Sequence, residues 1–201
     1  MPQEITMPKS HKVLYALYIL IWIFLAINPK YPEDWLLENV LVFIFFPIII
    51  WVDLKFKLSL SSIAFMLIFG ILHSIGSHYT YSEVPYLQDF TSIFGSDRNN
   101  FDRLVHFSLG LLIFKPLFEI VRRCTSGFNS ALVFTFTTIA TIATTYELIE
   151  WAAATLFHPD LGSAFLGTQG DEWDAQKDTL VALIGASINI FIFKLFLKDK
   201  R

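Results

Sequence analysis

The stretch TLVALIGASINIFIFKLFL, residues 179–197, has a single charged residue, Lys194, in nineteen positions. A run of that length and polarity predicts a helix that crosses a membrane, since a transmembrane helix needs about 20 predominantly apolar residues. Five further apolar stretches precede it, at residues 13–27, 35–52, 58–75, 104–121 and 128–151. The sequence therefore predicts an all-α fold, a polytopic membrane helical bundle with about six transmembrane helices, in a single integral membrane domain over residues 1–201.

The composition favours the same class of protein. Hydrophobic residues make up 54% of the chain, the mean hydropathy is +0.54, and 21 of the 201 residues are Phe. These values lie outside the usual range of a soluble domain, so the lipid bilayer is the expected partner. The single Cys124 excludes an internal disulfide and a cysteine-based metal site. The basic residues are scattered, which argues against a nucleic acid as partner.

Lys and Arg residues indicate the orientation. If the six stretches alternate in direction, nine basic residues fall on one side of the membrane: Lys9, Lys12, Lys55, Lys57, Arg122, Arg123, Lys198, Lys200 and Arg201. Because cytoplasmic loops carry an excess of positive residues, this distribution predicts a multi-pass protein of a cell membrane with both termini in the cytoplasm.

The acidic residues concentrate on the opposite, extracytoplasmic side. Fourteen of the 18 Asp and Glu residues fall there with only four basic residues, which gives that side a formal charge of −10. Such a surface attracts cations. The alternative is that the acids in loops are simply solvated.

Three acids before the last stretch are spaced for one helix face. In GDEWDAQKD, residues 170–178, Asp171, Asp174 and Asp178 are three and four apart, so they share a face if the last helix begins near residue 170. Like charges in a row repel, which predicts a compensating partner: a metal ion, protonation, Arg103 or Lys177. Alternatively, the helix macrodipole stabilises acids at its N-terminus, although that suits Asp178 poorly.

Two further motifs place ionisable residues at the same side. In YELIEW, residues 146–151, Glu147 and Glu150 end a long apolar stretch, and ionisable groups at that depth are candidates for function. In FDRLVHF, residues 101–107, Asp102 and His106 are four apart, so the carboxylate could orient the imidazole. The alternatives are a structural pairing of Glu147 with Arg103 or a His, and a helix-capping Asp beside a satisfied His.

Aromatic and histidine residues in and before SHYTYSEVP, residues 77–85, complete the candidates: His73, His78, Tyr79 and Tyr81. An interfacial aromatic belt is the alternative reading of the tyrosines. His11 lies on the basic side and is set aside.

FDRLVHFSLGLL, YELIEW and GDEWDAQKDTLVALIGASI, in that order, resemble the pattern of VanZ-like membrane proteins. Within that group, SHYTYSEVP and GTQGDEWDAQKD are more similar to the YjdF-like bacterial inner-membrane proteins, whose function is not established. The resemblance implies a bacterial inner-membrane location and a role in the cell envelope. It points to these residues: Asp102, Arg103, His106, Glu147, Asp171, Asp174 and Asp178.

The chain departs from the VanZ-like pattern at one position. VanZ-like proteins commonly carry Glu-x-x-Gln, whereas this chain has Glu147-x-x-Glu150. The additional carboxylate favours metal binding and weakens the transfer of VanZ properties.

Two functional hypotheses follow. The first is a membrane-embedded hydrolase or transferase acting on a lipid-linked or phosphorylated envelope substrate, with His106, Asp102 and Arg103 as candidate catalytic residues. A divalent metal, Mg, Mn, Ca or Zn, would be held by residues among Glu147, Glu150, Asp171, Asp174 and Asp178. The second is a non-enzymatic module that binds lipid or a cation.

Overall fold

The structure, a computed structural model, describes residues 6–85, 98–156 and 168–196. Within these ranges the chain forms six long helices and no strand: α1 (Lys9–Leu25), α2 (Pro32–Phe56), α3 (Leu60–Tyr79), α4 (Phe101–Cys124), α5 (Phe128–Leu156) and α6 (Asp174–Phe196). Helices α2 to α6 are long and apolar enough to cross a membrane, and α1, with 17 residues, is at the lower limit of length. The prediction of an all-α bundle with about six transmembrane helices is confirmed.

The helices extend beyond most of the apolar stretches that predicted them. Helix α3 continues to Tyr79 and α5 to Leu156, because their polar ends still complete helical turns. One expectation is wrong: α6 begins at Asp174 and not near residue 170, so Asp171 precedes the helix and does not lie on its face. Three of the acids assigned to the extracytoplasmic side, Asp89, Asp97 and Asp160, lie outside the described residues.

Local signals in the sequence account for several helix ends. Pro32 occupies the first turn of α2, where its missing N–H is not needed. Helix α2 ends at Lys57, whose backbone is left-handed with φ 47°. Ser59 then caps α3, its hydroxyl accepting a hydrogen bond from the Ser62 N–H at 3.3 Å. Helix α3 ends at Thr80, also left-handed with φ 57°.

Helices α4 and α6 run in the same direction with their backbones in contact. A Cβ atom added at Gly110 would lie 1.8 Å from the Ala182 carbonyl oxygen, and one added at Gly185 would lie 2.4 Å from the Phe107 carbonyl oxygen. Only glycine fits at such a crossing. The amide of Asn189 on α6 also donates a hydrogen bond to the Leu111 carbonyl of α4 at 2.7 Å, which fixes the register of the two helices.

Aromatic packing continues this contact toward the far end of the two helices. The rings of Phe114 and Phe193 meet edge to face at 5.5 Å, and Phe118 contacts both Phe193 at 4.8 Å and Phe128 of α5 at 5.7 Å. Elsewhere the bundle presents large apolar side chains outward, and only 11% of the most apolar window of α2 is buried within the protein. That outer surface is suited to contact with lipid.

A buried polar group joins α1 to α2 at the end of the bundle that holds the N-terminus of α1. His11 Nδ1 lies 2.9 Å from Asp53 Oδ2, and the Tyr15 hydroxyl donates to the same oxygen at 3.2 Å. All three side chains are buried. Toward the opposite end, the Trp22 indole N–H donates to Asn39 Oδ1 at 2.7 Å, so polar contacts hold the two helices together at two depths.

The glycine contact yields a prediction about stability. We expect Gly110→Ala to destabilise the protein by about 3 kcal/mol or more, because the added methyl group would overlap a backbone carbonyl that cannot rotate away. Thermal unfolding in detergent would measure the loss. The matched control is Gly127→Ala, where the nearest atom to the added Cβ is the Ser130 hydroxyl at 3.2 Å. Equal unfolding temperatures for the two variants would contradict the packing described.

Candidate functional site

Buried polar residues gather where the N-terminal ends of α2, α4 and α6 meet the C-terminal ends of α3 and α5. Each is no more than 9% exposed. Those with ionisable side chains are Glu38, His73, Asp102, His106, Glu150, Asp174 and Asp178. Ionisable groups among apolar helices are costly and are retained where they carry function or pair with one another.

An acidic centre of three carboxylates forms the core of this region. Asp102 comes from the first turn of α4, and Asp174 and Asp178 come from the first two turns of α6. One oxygen from each lies within 4.8 Å of the other two. Two oxygens bound to one cation at 2.0 to 2.6 Å are at most about 5 Å apart, so the three residues could hold a single ion.

Two arginines pair with this acidic centre. Arg98 Nη2 lies 2.6 Å from Asp174 Oδ1, and Arg103 Nη2 lies 3.4 Å from the same oxygen. Arg103 also pairs with Asp171 Oδ2 at 2.6 Å, and its Nε lies 3.8 Å from Asp178 Oδ1. Asp174 therefore has two guanidinium partners, whereas Asp102 has no ion pair with an arginine or lysine among the described residues.

Asp171 lies at the rim of the centre and stays ionised. Hydrogen bonds from Lys177 first, and then from the Trp173 N–H and Arg103, lower the pKa of this carboxyl to about 2. Lys177 Nζ donates to both Asp171 oxygens, at 2.6 and 2.8 Å. The charge of Asp171 is thus already neutralised by its neighbours. Of Asp171, Asp174 and Asp178, it is the residue least available to bind a cation.

His106 lies between two carboxylates. Its Nε2 is 3.3 Å from Glu147 Oε1 and 3.6 Å from Asp102 Oδ1, and its ring packs edge to face on Tyr146 at 5.7 Å. The sequence predicted orientation by Asp102 and gave Arg103 or a His as alternative partners of Glu147, and the structure places Glu147 beside the same His106 nitrogen.

Several buried atoms of this region have no hydrogen bond among the described residues. They include the nitrogens Arg103 Nε and His106 Nδ1 and the oxygens Glu147 Oε1 and Asp178 Oδ1. A buried polar group without a partner costs about 1 to 3 kcal/mol, more when it is charged, so native structures satisfy nearly all of them. Their concentration at one centre is what a site for water, an ion or a ligand group requires.

A second polar group lies beside the acidic centre. The Tyr146 hydroxyl donates to Glu38 Oε2 at 3.2 Å, and Glu150 lies close to Tyr146. His73 Nε2 lies 3.3 Å from the Glu38 carbonyl oxygen, which can only accept, so Nε2 carries the proton and the Tyr81 hydroxyl donates to Nδ1 at 2.5 Å. Among the described residues, neither Glu38 nor Glu150 forms an ion pair.

The remaining residues singled out from the sequence lie elsewhere. His78 Nδ1 donates to the Leu25 carbonyl at the end of α1 at 2.8 Å, and the Tyr79 ring packs on the His78 ring at 4.5 Å. The structure therefore places these two residues at the junction of α1 and α3. Glu150 is not one of the three carboxylates that approach within 4.8 Å of one another, and it contacts Tyr146.

Sequence reasoning missed three contributors. Arg98, Glu38 and Tyr146 were not singled out, although Glu38 is the last acid before an uninterrupted apolar run and Tyr146 directly precedes Glu147. His11, which was set aside, is buried against Asp53 at the far end. The sequence signal that could have found them is the position of an ionisable residue within an apolar stretch. Such a residue lies deep in the membrane and needs a partner, wherever that partner lies in the sequence.

Comparison with known proteins identifies relatives of the chain. Residues 10–199 match the family described as "Predicted membrane protein (DUF2238)". The chain is 32% identical over 179 residues to the inner membrane protein YjdF of Escherichia coli (strain K12). The aligned residues cover 88% of this chain and 85% of that relative. No solved structure matches the chain. The similarity to YjdF-like proteins is confirmed, the VanZ-like grouping stays a prediction, and the chain belongs to the DUF2238 family of predicted membrane proteins.

Proposed function

We propose that the protein binds one divalent cation at the acidic centre and uses it for hydrolysis or group transfer on a phosphorylated, lipid-linked substrate. The observation that carries the proposal is the approach of Asp102, Asp174 and Asp178 to within 4.8 Å of one another in a buried region. The unpartnered oxygen of Asp178, a residue that is 1% exposed, supports it.

The charges favour a doubly charged ion. Five carboxylates, those of Asp102, Glu147, Asp171, Asp174 and Asp178, lie with three permanent cations, Arg98, Arg103 and Lys177. With His106 neutral, the formal charge is −2, which one divalent cation would cancel. Carboxylate oxygens favour Mg, Mn or Ca, and a nearby imidazole shifts the preference toward Mn or Zn.

The residues around the centre suit chemistry on a phosphate group. Arg103 and Arg98 present guanidinium groups that recognise phosphate oxygens. His106, which lies between Asp102 and Glu147, could accept a proton from water or from a substrate hydroxyl. A bound divalent cation would polarise a phosphoryl oxygen or activate water. The apolar helices around the site would admit the hydrocarbon part of the substrate from the membrane.

The membrane location and orientation belong to the same proposal. The relative from Escherichia coli is described as an inner membrane protein. We infer the same membrane for this chain, with both termini in the cytoplasm by the distribution of basic residues. The acidic centre then faces the extracytoplasmic side, in agreement with the envelope role that the VanZ-like resemblance implies.

A second candidate function is a lipid-binding or cation-binding module without chemistry. The observation in its favour is that Asp174 already has Arg98 and Arg103 as partners, so part of the centre is neutralised by the protein itself. In that case the carboxylates would recognise a cationic group or stabilise the bundle.

Removal of one carboxylate should weaken cation binding. We expect Asp178→Asn and Asp102→Asn each to raise the Kd for Mn²⁺ at least tenfold, because each removes one of three oxygens and one negative charge. Electron paramagnetic resonance of free Mn²⁺ over the detergent-solubilised protein measures this. Glu83→Gln is the control, since Glu83 is an exposed acid at the same end that pairs with Lys30. Unchanged Mn²⁺ binding in both Asp variants would contradict the site.

The hypothesis of an enzyme predicts different effects for two histidines. We expect His106→Gln to lower the release of phosphate from short-chain phosphatidic acid by about 10²-fold or more at saturating Mn²⁺, whereas His78→Gln, at the junction of α1 and α3, should retain activity. A colorimetric phosphate assay in mixed micelles would measure both. If the wild-type protein binds Mn²⁺ but releases no phosphate, the binding module is favoured.

Orientation can be tested with the natural cysteine. Cys124 is the single cysteine of the chain, it is exposed, and it ends α4 on the side assigned to the cytoplasm. We expect a membrane-impermeant maleimide to label it only after spheroplasts are permeabilised. The combined variant Cys124→Ser and Glu172→Cys should be labelled in intact spheroplasts, because exposed Glu172 lies at the opposite end. The reverse pattern would place both termini outside.

A further inference from the structure

Asp174 can bind two kinds of partner, arginine side chains and a cation. Its Oδ1 accepts from both Arg98, at 2.6 Å, and Arg103, at 3.4 Å. The same residue belongs to the trio that could hold a cation. Resting on the proposed function, we propose that a divalent cation and a phosphate group bind this centre cooperatively, because phosphate draws the two arginines away from Asp174.

The geometry supports competition for Asp174. A carboxylate whose oxygen is paired with two guanidinium groups is a poor ligand for a cation, since the arginines already neutralise it and repel a further positive charge. The other two members of the trio are less committed. Asp178 is 1% exposed, and its Oδ1 has no hydrogen bond and lies 3.8 Å from Arg103 Nε, a longer distance than either arginine contact of Asp174. Asp102 pairs only with His106 among the described residues.

Phosphate is the ligand that best replaces Asp174 for the arginines. Guanidinium groups bind phosphate oxygens in pairs of parallel hydrogen bonds, and two arginines side by side can bind three or more oxygens. Arg98 and Arg103 approach the same oxygen atom of Asp174, so their charged ends lie close enough to share one phosphate group. Once they do, Asp174 is released to complete the ligand set of the cation.

Thermodynamic linkage then makes the effect reciprocal. If phosphate strengthens the binding of the cation, the cation strengthens the binding of phosphate by the same factor. Either ligand alone meets a centre in which Asp174 is paired with arginine, which keeps the site in a low-affinity state. Substrate and cation therefore assemble together, and the cation is released when the phosphate leaves.

The experiment titrates Mn²⁺ into the purified, detergent-solubilised chain with and without two phosphate sources. One arm adds inorganic phosphate and the other adds short-chain phosphatidic acid, with the matching diacylglycerol as a lipid that lacks phosphate. Expected is a Kd for Mn²⁺ about tenfold lower with a phosphate source, which corresponds to about 1.4 kcal/mol of coupling. A larger effect of phosphatidic acid than of inorganic phosphate identifies a lipid headgroup as the ligand.

Two variants separate the coupling from a general effect of charge. Arg98→Gln should bind Mn²⁺ more tightly without phosphate and lose most of the phosphate effect, since Asp174 is partly released in advance. Lys177→Gln removes the same charge from the same region but pairs with Asp171 and not with Asp174. It should keep the full phosphate effect. Arg98→Lys, which retains the charge, is the second variant at this position in case Arg98→Gln fails to fold.

The outcomes distinguish the two proposals. If the wild-type protein binds no Mn²⁺ under any condition, the proposed function and the coupling both fail. If it binds Mn²⁺ with a Kd that neither phosphate source alters, the coupling alone is overturned. The same conclusion follows if Arg98→Gln and Lys177→Gln respond alike to phosphate.

Discussion

The contact between the backbones of α4 and α6 is the constraint on which the rest of the structure depends. Gly110 and Gly185 let the two helices touch, and Asn189 sets their register by binding the Leu111 carbonyl. Because both helices begin at the same end of the bundle, this contact brings their first turns together, and with them the acids that those turns carry. The positive ends of two helix dipoles then lie beside the carboxylates, which lowers the cost of holding several negative charges in one place.

Charge balance governs what such a centre can do. Burial of like charges in a membrane protein is unfavourable unless cations accompany them, and here the described residues provide fewer cations than carboxylates. Arg98 and Arg103 satisfy Asp174, whereas Asp178 and Glu147 each keep an oxygen without a hydrogen bond. The excess of carboxylates and these two oxygens lie in the same region, so one cation would compensate the charge and bind the oxygens.

The sequence predicts the helices well because hydropathy is a local property that a single chain segment carries in full. It predicts part of the site for the same reason: the intervals Asp102 to His106 and Asp174 to Asp178 lie within one helix each. Contacts between different helices are not indicated by the sequence of either helix alone. The sequence suggests a His as one partner of Glu147 but does not identify His106, and nothing local indicates that Arg98 meets Asp174 or that His78 binds the end of α1. The start of α6 differs from the expectation because the backbone around Asp171 forms turns, with hydrogen bonds from Asp171 to Thr168 and from Asp174 to Asp171, and the regular helix begins only at Asp174.

Helix α2 carries a buried carboxylate near each end, Glu38 joined to Tyr146 and Asp53 joined to His11. The two lie fifteen positions apart, about 22 Å at 1.5 Å per residue along a helix. The hydrocarbon core of a typical bilayer is about 30 Å thick, so the two carboxylates cannot both reach the headgroups of an undeformed membrane. Helix α2 itself has 25 residues and is about 38 Å long, so it spans the core, and at least one of these carboxylates lies at hydrocarbon depth, where it must be satisfied inside the protein. The hydrogen bond from Tyr146 to Glu38 and the contact of His11 with Asp53 take the place of the water that these carboxylates would have at the membrane surface.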